Sequence, residues 1–127
     1  MFYDDSIRQI LLAATGCTFL AFSLWALIQP KSLATTLGYE LKSSNSISEF
    51  HAIYVGVFLA QALLCALAFI RIEDAMLGNL VAIFLLAQPV GRCIALLRGG
   101  HTTGILKLLF LAEVIGGLIL LAVQPSL

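Results

Sequence analysis

The chain has 127 residues, room for one domain; 61% of them are hydrophobic and 11% charged, and seven basic against seven acidic side chains leave no net charge. A soluble domain is roughly 45–50% apolar and about 25% charged. Too few polar groups are therefore present to cover a soluble fold, lipid is the expected solvent for much of the surface, and the lack of any basic patch excludes nucleic acid as a partner.

Four windows reach the roughly 20 mostly apolar residues that a membrane helix needs: residues 9–28, 52–70, 75–97 and 105–123. The first runs from Gln9 to Ile28, and Pro30 is expected to close it, because an interior proline removes a helix hydrogen bond. Asp4 and Asp5 stand where a secretory leader has basic residues, and no small-residue cleavage pattern follows, so a retained helix is expected. Along it Thr15, Thr18, Phe22, Trp25 and Gln29 form one stripe. Lys31 to Glu49 reads as the one long connection, rich in serine and lysine around Lys42-Ser43-Ser44-Asn45-Ser46.

The second helix is expected to open with Glu49, Phe50 and His51. His51, Tyr54, Phe58 and Gln61 follow i, i+3, i+7 and i+10, one helical stripe from the interface to mid-membrane. A glutamine at that depth normally faces other helices, since lipid cannot satisfy its amide. Tyr54 taken alone is an ordinary interfacial anchor. After a tight turn at Arg71–Asp74, the third helix carries Gln88 and Arg92 on one face, spaced i, i+4, with Pro89 between them expected to kink it and free a carbonyl. A turn at Arg98–Gly104, with His101 expected in solvent, leads to the fourth helix and Glu113.

Four crossings make an all-α integral membrane four-helix bundle, up-down-up-down, a single domain over residues 1–127. Both termini then lie on one face, face A, and the long connection and the 98–104 turn lie on face B. Arg8 and Arg71 fall near span ends on face A, against Lys31, Lys42, Arg98 and Lys107 on face B. The positive-inside rule accordingly sets face B in the cytoplasm and both termini outside.

At 1.5 Å per residue, Arg92 lies about 8 Å and Glu113 about 12 Å below the face B ends of their helices. Consecutive helices joined by a short turn are antiparallel neighbours, so Glu113 is the expected partner of Arg92. Each charge alone costs roughly 2.5–3.5 kcal/mol at a helix centre on insertion scales. The pair either pins two helices together or floors a polar cavity. The face A half offers Asn79 and little else polar, so a cavity open toward face B is expected, with Arg92 and Glu113 at its floor, Gln88 beside them, and His51, Glu49 and Lys107 near its mouth. Small residues repeat every four at Ala52, Gly56 and Ala60, and at Ala87, Gly91 and Ala95, with Ala112, Gly116 and Gly117 on the last helix. Such faces suit close helix packing within the bundle or a seam between copies. Cys17, Cys65 and Cys93, all in apolar runs, read as buried, inert thiols.

Pro30 closing the first helix, Glu49-x-x-x-x-Tyr54-x-Gly56 opening the second, Gly91-Arg92 late in the third and a Gly100 turn followed by Glu113 resemble one set of small bacterial membrane proteins. This is the four-helix family catalogued as domain of unknown function 4345, similar in layout to the DoxX-like group. The resemblance covers nearly the whole chain and implies the architecture and the Glu49/Tyr54/Arg92/Glu113 constellation, but no activity. Two positions depart from the family pattern, which has arginine at His51 and a Gly-Gly pair at Val55-Gly56. The first departure removes a second fixed positive charge from the mouth of the site.

The leading expectation is a binding or accessory protein of a bacterial inner membrane. Its pocket, formed by Arg92, Glu113, Tyr54, Gln61, His51, Glu49 and Gln88, would take a small anionic or amphipathic ligand, a lipid or quinone-like compound. A structural or interaction subunit, as a homo-oligomer or in a larger membrane complex, stays open as the alternative, with Arg92–Glu113 as the helix-pinning pair. An enzyme is disfavoured. A histidine such as His51 could serve as general acid or base at neutral pH, yet it points about 200° away from Glu49 on a helix. No nucleophile stands beside a base, and neither a metal-ligand spacing nor a dinucleotide fingerprint occurs. No catalytic residue, metal or cofactor is therefore expected.

Overall fold

The computed structural model describes residues 2–100 and 104–126, so the expectation for His101 lies outside it. Five helices account for nearly all of the described chain: α1 (Asp5–Ile28), α2 (Pro30–Thr36), α3 (Ser44–Ile70), α4 (Ala75–Leu97) and α5 (Ile105–Ala122). All but α2 are long and apolar enough to cross a membrane. The protein is an all-α membrane bundle. Two short strands, β1 (Phe2–Tyr3) and β2 (Val123–Gln124), pair in parallel and hold the two ends of the chain side by side.

α4 and α5 start where hydropathy sets them, at Ala75 and Ile105, whereas α1 and α3 start earlier, because polar caps begin them. The Asp4 carboxylate accepts the Ile7 N–H at 3.1 Å, satisfying one of the free donors of the first turn of α1. Pro30 does end α1, but it also opens α2, sitting at the first helical position, where a missing N–H costs nothing. The 31–49 stretch is thus not a plain loop. α2 closes on a Schellman arrangement: Gly38, at φ +86°, donates to the Thr35 carbonyl and Tyr39 to the Ala34 carbonyl. The serine cluster that reads as linker is a capping box, in which Ser43 and Ser46 satisfy each other's backbone N–H groups at 3.1 and 3.0 Å. α3 therefore begins at Ser44, five residues before Glu49.

Inside α3, residues Ala52–Val57 form a π-helical turn, and the Phe58 N–H reaches back five residues to the Ile53 carbonyl. A π turn takes up extra residues, so the helix before it is rotated out of the α-helical register that follows. By contrast, α4 runs unbroken through the buried Pro89.

α1 packs chiefly on α3, α4 on α5, and α3 on α4, whereas α1 and α5 touch far less. One apolar cluster (Leu12, Phe19, Phe58, Cys65, Val81, Leu85 and Leu120 among its members) fills the centre, and a second at face B joins Ala26, Leu33, Leu37 and Phe50, with Leu106 against it. Gly117 allows the close approach of α4 to α5, since a Cβ there would fall 2.6 Å from Leu86 Cγ. The other expected small-residue faces do not pack inside the bundle: Ala52, Gly56, Ala60, Ala87, Gly91 and Ala95 are exposed. The cysteines divide likewise, with Cys65 buried and Cys17 and Cys93 on the outer surface. In a membrane helix both faces are apolar, so apolar neighbours in sequence do not mark which side is inside.

Candidate functional site

Arg92 and Glu113 meet. An Arg92 Nη1 N–H donates to Glu113 Oε1, and Nη2 reaches Gln88 Oε1 at 3.4 Å, so one guanidinium gathers a carboxylate from α5 and an amide one turn back on α4. Their side chains keep 23% and 11% of their exposure. The surface they retain faces a cavity of about 260 Å³ lined by α1, α3, α4, α5 and Leu37.

The wall of this cavity is mostly apolar. Leu11, Phe19, Phe22, Phe58, Leu85, Leu106 and Leu109 line it, with Thr15 and Thr18 from α1. The Thr18 hydroxyl donates to the Ala14 carbonyl at 2.8 Å, which spends its donor on its own helix. Polar character is concentrated at Arg92, Glu113, Gln88 and Tyr54. The Tyr54 hydroxyl lies 3.2 Å from that of Tyr39, which the Schellman turn after α2 delivers to this point. Pro89 removes the helical donor of the Leu85 carbonyl, and Leu85 lines the same space.

At face B, Leu37 and Leu106 sit in or against the second apolar cluster and cover that end. Among the cavity-lining residues of α1 and α5, Ala14, Thr18 and Ala112 are exposed.

Tyr54, Gln88, Arg92 and Glu113 are thus brought together, and four other expected residues are not. Glu49 is exposed outside the cavity, as is Lys107. His51 lies before the π turn, and its Nδ1 pairs with the Ile47 carbonyl at 2.8 Å, one turn toward face B. Tyr54, within the π turn, and Phe58, after it, do reach the cavity. Gln61 is buried at 8% exposure but does not line the cavity, and its Oε1 has no hydrogen-bond partner among the described residues. On α1, Trp25 packs against the face B cluster and Gln29 is exposed, so only the Thr15–Phe22 part of that stripe faces the cavity.

A second polar centre was hidden in the sequence. Arg8, expected at the face A interface, is 1% exposed. Nη1 donates to the Leu120 and Val123 carbonyls at 2.6 and 2.7 Å, and Nη2 donates to the Ala75 carbonyl and Asn79 Oδ1 at 2.9 and 3.1 Å. Gln124 Nε2 donates to the same Asn79 oxygen at 3.1 Å and to the Leu121 carbonyl at 2.7 Å. The C-terminal carbonyls of a helix lack intrahelical donors and carry its negative dipole end, so they hold this cation without a carboxylate. Gly78 leaves the room: a Cβ there would fall 2.3 Å from Arg8 Nη2. The face A half is therefore not apolar, and the arrangement ties α1, α4 and α5 together. The Asn79/Gln124 pair of amides was the sequence signal for it.

Among the described residues, no group of three or more histidine, cysteine, aspartate or glutamate side chains is placed to hold a metal ion. No curated protein and no solved structure matches the chain. A family profile described as "Domain of unknown function (DUF4345)" matches residues 7–124, from the helix that carries Arg8 to the strand that ends at Gln124. Nearly every element described above lies in that match, and the chain belongs to the DUF4345 family.

Proposed function

We propose that this protein is a small integral membrane protein that holds a small anionic or amphipathic molecule, a lipid or quinone-like compound, in its intramembrane cavity, in a binding or accessory role. The observation that carries this reading is the placement of a charged pair in the wall of a mostly apolar hollow. Pockets for small ligands are typically apolar with a few convergent polar groups, and intramembrane charges commonly mark such sites. A guanidinium has five N–H donors. Two are engaged by Glu113 and Gln88, and the others have no protein partner among the described residues.

Arg92 is the anchor in this reading, and Glu113 orients it and restrains its charge while the site is empty. Tyr54 and Gln88 add hydrogen bonding in the same wall. Replacing Arg92 with glutamine and comparing co-purifying lipids and small molecules by mass spectrometry tests it. Loss of a specific component from folded R92Q protein is expected; an unchanged profile overturns the reading.

A bacterial inner membrane is the proposed setting, with face B in the cytoplasm and both termini outside. With Arg8 buried, Arg71 stands against Lys31, Lys42, Arg98 and Lys107 in the charge comparison, which widens the bias.

A second reading rests on the same ion pair, which fastens α4 to α5. Under it the protein is a structural or interaction subunit, and its exposed small-residue stripes meet another copy or a membrane partner. The charge swap, Arg92→Glu with Glu113→Arg, then restores folding and function together. Failure of the swap in folded protein argues for the pocket.

A further inference from the structure

The cavity has a side entrance and a neutral floor, and together these define its occupant more narrowly. α1 and α5 are bolted at face A, where Arg8 of α1 holds the Leu120 carbonyl of α5 and the adjoining Val123 carbonyl. At face B, the Leu37 region and Leu106 bridge the same two helices. Between these fastenings the cavity-lining Ala14, Thr18 and Ala112 are exposed, and a Cβ built at Gly116 would meet open space. The gap is a window onto acyl chains, framed at both ends.

The charges behind the window cancel. Arg92 and Glu113 are the ionisable carboxylate and guanidinium lining the cavity, and they are already paired. An anionic head would add an uncompensated charge at low dielectric or displace Glu113 and leave that carboxylate alone, and either is costly. An uncharged carbonyl, ether or hydroxyl oxygen instead accepts from the spare guanidinium N–H groups with the pair intact. A volume of about 260 Å³ lies just below the range of about 300–1,000 Å³ usual for ligand pockets. It accepts a compact head with a short stretch of chain, the remainder trailing through the window.

Resting on the binding reading above, we infer that the cavity selects single-chain amphipaths with an uncharged, oxygen-bearing head, taken sideways from the bilayer between α1 and α5. The test uses the full chain in phosphatidylcholine vesicles with two photoreactive probes, a diazirine-bearing fatty alcohol and the sulfate ester of that alcohol. Labelled sites are mapped by mass spectrometry, and labelling at Ala14, Thr18, Ala112 and Gly116 is compared with labelling on the outer surface of the same molecules. The alcohol is expected to favour the window residues by about tenfold, the scale of one hydrogen bond to a charged group, and the sulfate to show no such preference. Glu113→Gln, which leaves Arg92 with a net charge, is expected to raise sulfate labelling there by about tenfold. Gly116→Leu, whose Cβ meets no heavy atom within 4 Å, adds a side chain at the window and is expected to abolish the preference for the alcohol.

Equal or stronger enrichment of the sulfate in the native protein overturns the neutral-head inference and leaves binding standing. Enrichment of the alcohol that survives Gly116→Leu overturns the side entrance. Enrichment of neither probe overturns the binding reading itself. These outcomes do not require the Glu113→Gln protein to fold.

Discussion

Two arginines give this bundle one sealed polar centre and one that faces a cavity. Arg8 is 1% exposed and spends four hydrogen bonds on three backbone carbonyls and one amide oxygen, whereas Arg92 meets one carboxylate and one distant amide and keeps 23% of its side-chain surface. The first commits four of its five N–H donors inside a sealed site; the second has donors to spare beside a cavity. Burial of a charge is therefore not by itself the mark of a site. Unfilled hydrogen-bonding capacity facing a space is the better mark, and Arg92 has it.

The difference can be broken at either end, and the effects should be unequal. Arg8→Gln should do the most damage. It takes the guanidinium from the Leu120 and Val123 carbonyls and cuts the tie among three helices, at about 1–3 kcal/mol for each buried carbonyl left without a donor. Thermal unfolding in detergent should show a large drop or no folded protein at all; a drop no larger than that of Arg92→Gln contradicts the division.

Gly78→Ala should come next. Its new methyl would meet an Arg8 guanidinium held by four bonds and unable to yield, so overpacking of about 1–3 kcal/mol is expected. Native-like stability would mean that Arg8 is looser than its contacts indicate.

Arg92→Gln should cost less than Arg8→Gln, because Glu113 keeps partial access to the cavity and is not sealed away. The double replacement Arg92→Gln with Glu113→Gln should recover most of the loss, since a neutral pair of amides no longer buries an unpaired charge. A double-mutant cycle of unfolding midpoints measures the coupling, and strict additivity would show that the pair does not interact.

The smallest effect belongs to the hydroxyl pair behind the cavity at face B. Tyr39→Phe removes one hydroxyl contact, at 3.2 Å, and should cost about 0.5–1 kcal/mol. If the proposed occupant is held partly by Tyr54, the same change frees the Tyr54 hydroxyl and should shift ligand retention more than stability.

The sequence carried the architecture in its spans and the Arg92–Glu113 meeting in simple depth arithmetic, because intramembrane charges are few and must find each other. Arg8 was not legible in this way. Its partners are chiefly backbone carbonyls, which every residue possesses, so no side-chain code announces them. His51 was misplaced for another reason: an ideal helical period runs it into line with Phe58, and the π turn at Ala52–Val57 rotates it away. The serines at 43–46 resembled a linker because capping residues and linker residues are the same types. The side window depends on which helices stand apart, and α1 and α5 are distant in sequence, so periodicity within each helix is silent about the gap between them.

The most direct test of the central claim is an experimental structure of the protein crystallised from a lipid phase. Elongated density between α1 and α5, with its polar end within about 3 Å of the Arg92 guanidinium, a normal hydrogen-bond distance, is the predicted result. A bundle in which α1 closes on α5 and seals Arg92 and Glu113 from the bilayer contradicts it.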